Sequence, residues 1–139
     1  HRGEKFNLIG VDYQRDHMTR GPRGPMLQGI EPLISPEMPN ILLSHNPNSF
    51  RRAAELGIEL SLAGHTHGGQ VKFEIVEHDI TPARLITDFV AGLYQLPMGN
   101  GSAGRQAQLY VNRGLGTFAM PVRLGVPPEI TLLTLRAQA

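Results

Sequence analysis

Cysteine is absent from the 139 residues, which excludes disulfides and thiolate metal ligands while leaving the compartment open. Tryptophan is absent as well, and five Phe and three Tyr are the only other large aromatics, too few for base-stacking platforms. A formal charge of +1 leaves no electrostatic footprint for nucleic acid. Arg20 with Arg23, and Arg51 with Arg52, form no basic stripe. No apolar run approaches the roughly 18 residues of a membrane-spanning helix, and no signal-peptide pattern is present. Cytoplasmic and membrane-peripheral placements both stay open. Carboxylate-rich motifs are missing too, which limits any metal site to what the histidines can supply.

What is there suits a folded domain. Apolar residues make up 40% and charged residues 18%, the balance of a globular chain rather than a disordered one. The length permits one domain of ordinary size. Sixteen Gly and eleven Pro exceed the usual share of about 12% and gather in long loops, so the core is expected to be thin. The opening His1-Arg2-Gly3-Glu4-Lys5 leads almost at once into an apolar run, as in a chain that begins inside a gene product.

The pattern along the chain predicts strands at Phe6–Val11, Asn40–Ser44 and Ile58–Ala63, a half-exposed strand over 70–76, and strands at 109–111 and 129–136. The run Ile41-Leu42-Leu43 lacks alternation, as expected of a strand covered on both faces. Between the second and third strands lies a short helix with Phe50, Ala53, Ala54 and Leu56 inward. Asn48 or Ser49 can cap it, and Gly57 can end it. Strand, helix, strand with short connections signals a mixed or parallel sheet with a helix on its face. Residues 12–39 are expected to be a long loop with one helical turn, and 79–96 read either as a short helix through Leu85 and Ile86 or as loop.

The most informative run is Gly64-His65-Thr66-His67-Gly68-Gly69-Gln70, at the end of an apolar strand. A second strand ends in His45-Asn46-Pro47. Residues two apart on extended backbone point the same way, so His65 and His67 can face one centre or two adjacent ones. Gly64, Gly68 and Gly69 remove side chains where ligand and backbone come close. Neutral imidazole binds zinc, iron and other first-row ions. Asn46 suits the turn before Pro47, and Gln70 is expected to brace the histidine loop. His1, His17 and His78 stand in polar settings typical of surface residues, and Asp12 ends a strand without a ligand motif.

Together these motifs resemble the calcineurin-like metallophosphoesterases. Gly64-His65-Thr66-His67-Gly68-Gly69-Gln70 is similar to the last metal motif of that family, and Ile41-Leu42-Leu43-Ser44-His45-Asn46-Pro47 to the preceding histidine motif. Gly92-Leu93-Tyr94, then Leu109 to Gly116, then Pro127-Pro128-Glu129-Ile130 resemble one subgroup, so the likeness runs from about Phe6 to Leu135. It implies an α+β fold, half of a four-layer αββα sandwich, with a mixed sheet and a flanking short helix. Residues 1–139 would be the carboxy-terminal portion of a single domain whose amino-terminal half is absent.

The implied cofactors are two divalent metal ions, with manganese, zinc or iron as candidates. The resemblance gives His45 and His65 to the second metal and His67 to the first. The family's aspartate-x-histidine, glycine-aspartate and asparagine-histidine motifs have no counterpart here, and Asp12 and Asp16-His17 do not fit them. The implied reaction is hydrolysis of a phosphate mono- or diester, with Arg113 as a possible phosphate contact. Implied partners are the amino-terminal half, or a homo-oligomer that stands in for it. The alternative is a non-catalytic metal-binding or structural module with the same fold. Other readings fit less well. A metallo-β-lactamase needs Asp and His where Gly68 and Gly69 stand, and a cupin needs a glutamate earlier than Glu74.

Overall fold

The computed structural model describes residues 5–13, 26–71, 73–75, 78–80, 87–99 and 104–136. In chain order the elements are β1 (Asn7–Gly10), β2 (Asn40–Leu43), α1 (Phe50–Glu55), β3 (Leu60–Ala63), β4 (Phe73–Ile75), β5 (His78–Ile80), β6 (Gly92–Pro97) and β7 (Gln106–Val111). Single 3-10 turns lie at Glu31–Leu33, Pro47–Ser49 and His67–Gly69. His1 and His17 lie outside the described residues, as does much of the expected 12–39 loop.

Five strands form one sheet in the order β1-β2-β3-β7-β6. The first four are mutually parallel, and β6 closes one edge antiparallel to β7. β4 and β5 make a separate antiparallel pair. Mixed α+β topology with one short helix and a five-stranded sheet is consistent with part of an αββα metallophosphoesterase sandwich.

The register sets one row of side chains across the sheet: Ile9, Leu42, Ser61, Leu109 and Tyr94. This row faces the core. Ile9 and Leu42 pack with Leu27, Ile30, Ala53 and Ile58, while Leu109 and Val111 pack with Phe50, Ala54 and Phe89. α1 therefore spans both clusters through Ala53 on one side and Phe50 with Ala54 on the other. The next row is Gly10, Leu43, Leu62, Tyr110 and Leu93, on the opposite face. There Leu43 and Leu93 are exposed, Leu93 by 61%. The apolar run of β2 predicts cover on both faces, and Ile41 on one face and Leu42 on the other are both buried, at 6% and 0%, while Leu43 at the strand's end is exposed.

Local chemistry explains the helix and adjusts its ends. The cap is Asn46, whose side chain accepts from Asn48 N at 3.0 Å, because a 3-10 turn precedes α1. Ser49 makes no side-chain cap and instead bonds Ser44 Oγ and the Asn46 carbonyl. Gly57 ends the helix at φ +82°, and Ile58 N reaches back to Ala53 O at 3.0 Å.

Three expectations need correction. The strand over 70–76 is shorter: Val71 makes only an isolated bridge to Leu124, and β4 begins at Phe73. Segment 79–96 holds the end of β5 and most of β6, whose outward Leu93 and Gln95 blur its pattern, while the helix read through Leu85 and Ile86 lies outside the described residues. Residues 129–136 form no strand. A strand needs a partner to satisfy its backbone, and here the segment leaves Ile130 84% and Leu132 93% exposed.

Candidate metal centre

Parallel strands deliver their carboxyl ends to one edge of a sheet, where open α/β sheets bind ligands. Here that edge receives Tyr13 after β1, His45 after β2, His65 after β3 and Arg113 after β7. Pairing continues past the strands: Ser44 N donates to Leu62 O at 3.1 Å, Gly64 N to His45 O at 3.3 Å, and Asn112 N to Ala63 O at 2.8 Å. The two histidine backbones are thereby held side by side.

Their rings meet. His65 Nδ1 lies 3.1 Å from His45 Nε2, with ring centroids 4.9 Å apart. Two imidazole lone pairs repel at that distance unless a proton or a cation lies between them. Zinc–nitrogen bonds of about 2.0–2.1 Å, at angles between about 90° and tetrahedral, separate two ligand nitrogens by roughly 2.8–3.4 Å. The 3.1 Å spacing matches two ligands on one ion, and equally an N–H···N hydrogen bond between the two rings. Tyr13 leans over both rings, at 5.5 Å from His45 and 5.6 Å from His65.

His67 is held differently. Its Nδ1 lies 3.1 Å from the Gly116 carbonyl. A carbonyl only accepts, so Nδ1 carries the proton and the neutral ring keeps its lone pair on Nε2. Metal-bound histidines usually bond their second nitrogen in this way. Among the described residues, no group of three or more His, Asp or Glu is assembled to hold an ion.

The histidine turn is strained. His65, His67 and Gln70 have φ of 71°, 51° and 59°, a left-handed conformation costing about 1–2 kcal/mol for each residue with a Cβ. Such strain persists only where surroundings impose it, and it concentrates at functional sites. Thr66 Oγ1 donates to Val90 O at 2.5 Å and accepts from Gly68 N at 3.2 Å. Gln70 ties the turn to the 118–120 segment, donating to Phe118 O and Met120 O and accepting from Phe118 N. A Cβ at Gly68, φ +64°, would stand 2.6 Å from Val126 Cγ1 and 2.8 Å from Arg113 Cγ. At Gly64 it would make only ordinary contact, 3.8 Å from Asn112 O. Gly69 contributes its φ of 84°.

Behind the rim lies a polar knot that the sequence reading missed. Arg113 Nε donates to Glu129 Oε2 at 2.6 Å, and Tyr110 Oη and Thr131 Oγ1 both donate to Glu129 Oε1. Asn112 Nδ2 reaches Thr131 Oγ1 at 2.9 Å. Burial raises the Glu129 pKa, but the bonds from Thr131, Tyr110 and Arg113 outweigh it and bring the carboxyl down to about 2. The bond to Glu129 in turn raises the Tyr110 phenol. The only sequence signal was a glutamate just after two prolines.

Glu129's lowered value sets a pH dependence. With its folded pKa below the unfolded one, its stabilisation is complete above about pH 4.5 and is lost as pH falls toward 2. At 13% side-chain exposure this amounts to on the order of 2–3 kcal/mol. Glu129→Gln is therefore less stable at pH 7, and its stability falls less between pH 5 and 2. Urea titrations across that range check this; parallel losses in the two proteins would refute it.

Comparison with known proteins adds family information. No protein-family model and no solved structure matches the chain. Among curated proteins, it is 36% identical over 137 residues to the Uncharacterized metallophosphoesterase YkuE of Bacillus subtilis, covering 97% of this chain and 42% of that protein. It is 40% identical over 105 residues to a bovine Transmembrane protein with metallophosphoesterase domain, covering 74% and 21%. Phosphodiesterase YaeI of Escherichia coli is 33% identical over 104 residues, covering 75% and 35%. The chain thus spans less than half the length of these relatives.

Proposed function

From the premise that these similarities support assignment to the calcineurin-like metallophosphoesterase superfamily, we propose that the chain is the histidine-rich, carboxy-terminal portion of a metallophosphoesterase domain. The domain hydrolyses a phosphate mono- or diester with two divalent ions. The observation that carries this is the His45–His65 pair, 3.1 Å apart at the carboxyl ends of adjacent parallel strands. His45 and His65 are assigned to one metal and His67, through Nε2, to the other, with manganese, zinc or iron as the ions. Two such ions clamp phosphate oxygens and supply hydroxide at neutral pH. The chain's own residues orient and hold: Asn46 fixes the turn after His45, and Gly68, Gly69 and Gln70 shape the turn around His67. Arg113 is the proposed phosphate contact at the rim, with its Nε committed to Glu129.

The carboxylates that bridge and neutralise two ions must come from the rest of the protein. The open sheet face with Leu43 and Leu93, and the unpaired segment with Ile130 and Leu132, suit the same partner. We assign that cover to the amino-terminal half of the domain, with a homo-oligomer as the substitute when the chain is alone. Purified by itself, the 139-residue chain is expected to associate and to turn over a nitrophenyl phosphate ester feebly at most, even with manganese or zinc. The full-length protein is expected to be active with metal and silent after chelation. Light scattering and initial rates decide. A monodisperse 15.2 kDa monomer refutes the missing cover, and near-parental turnover by the fragment refutes the division of the site.

A second reading is a metal-binding or structural module without turnover. It is favoured by the lack of any three-residue ligand group among the described residues. Full-length protein that binds manganese or zinc at His45 and His65 yet hydrolyses no phosphate ester would establish it.

A further inference from the structure

The geometry points to Arg123 as the positioning residue of the His67 ligand, an inference that rests on the metal-centre reading above. Every hydrogen bond this side chain makes to a described residue goes to a backbone carbonyl. Nη1 donates to His67 O at 3.3 Å and Val126 O at 3.5 Å. Nη2 donates to Arg113 O at 2.9 Å, to Gly114 O at 3.2 Å and to Gly116 O. Nε donates to Gly116 O at 3.0 Å. Two of these carbonyls matter for the site. One belongs to His67 itself, and the other accepts the His67 Nδ1 proton.

Arg123 thus grips the ligand residue from both ends. At the backbone it satisfies the carbonyl of a residue held at φ 51°, where an ordinary side chain is strained. At the ring it fixes the oxygen that sets the tautomer and leaves Nε2 to the metal. A guanidinium suits this task because its planar fork presents five donors in fixed directions. Lysine offers a single point of charge and cannot hold carbonyls of the histidine turn and of the 113–116 loop in one geometry. Gln70 fastens the other end of the same turn, so the two side chains lock the 116–124 loop against the histidines.

The test uses full-length protein with R123M and R123K, beside H45A and H65A. Manganese and zinc affinities are measured by titration. Long-range proton–nitrogen correlation of histidine-labelled, metal-free protein reads the His67 ring. We expect R123M to lower metal affinity about 10- to 100-fold, as loss of an outer hydrogen-bond partner does. We also expect it to turn the His67 ring from the Nδ1–H form to a mixture, with R123K between R123M and the parent. R123K also serves if R123M fails to fold. A merely structural arginine would lower the melting temperature and leave both readouts of the folded protein unchanged. An unchanged ring spectrum, or affinity within twofold of the parent, overturns the inference. If H45A and H65A lose metal while R123M keeps it, the inference alone falls; if all three keep it, the metal-centre reading falls as well.

Discussion

His65→Ala in the full-length protein is expected to lower kcat/KM for a nitrophenyl phosphodiester about 10³-fold, or roughly 4 kcal/mol of transition-state stabilisation. His65 supplies the Nδ1 that sits 3.1 Å from His45 Nε2, and on the proposed assignment alanine would leave the ion one nitrogen short. His45→Ala should cost a similar amount. The double variant should cost little more than either single one, because residues that act as a unit are non-additive. The backbone is not expected to fail with them, since the pairing that holds the two strand ends is made by main-chain atoms. Arg51→Ala is the control: Arg51 pairs with Asp88 at the surface, both mostly exposed, and its loss should change the rate less than about twofold. Initial rates at saturating manganese, with circular dichroism to establish folding, are the measurement. A folded His65→Ala retaining more than about a tenth of the parental rate would remove this histidine from the metal centre.

A large effect on stability, comparable to that of Glu129, is expected at Gly99. Its N–H donates to Ala54 O at 2.9 Å, bringing the turn after β6 onto the carboxyl end of α1. A Cβ there would stand 2.5 Å from Glu55 O and 2.9 Å from Glu55 Cα. Both are backbone atoms and neither can rotate away, so the turn and helix must separate and that hydrogen bond must lengthen. Gly99→Ala should cost about 2–3 kcal/mol, at the upper end of overpacking effects. Gly10→Ala is the comparison, because a Cβ there meets nothing within 4 Å and its strand tolerates one. It should lie within about 0.5 kcal/mol of the parent. Urea midpoints measure both, and equal midpoints for the two variants would show that the turn yields without cost.

These two glycines mark the division between what was legible and what was not. In the sequence they look alike, each in a short polar or apolar context without a motif. Only the approach of residues 44 positions away makes one of them indispensable. The β2–α1–β3 unit, by contrast, could be read directly. An apolar run, an inward face of Phe50, Ala53 and Ala54, and a terminating Gly57 are all encoded within a few residues of one another. The His45 and His65 positions could be read for the same reason, as each lies two residues past the end of its strand.

The sequence by itself therefore determined the local elements, the absence of thiolate chemistry and the histidines offered at two strand ends. Tertiary structure decided the rest. It placed β7 beside β3, a pairing of Leu60 with Gln108, and β6 outside it. It left Ile130 and Leu132 without a ladder, although their pattern is that of a strand. It joined His67 to Gly116, and both to Arg123. The physical reason is range. Helix caps, turns and side-chain alternation are contacts between near neighbours and leave periodic marks in the chain. Strand order, carbonyl gripping and backbone clashes arise between segments tens of residues apart, where one hydrophobic pattern satisfies many arrangements and packing selects among them.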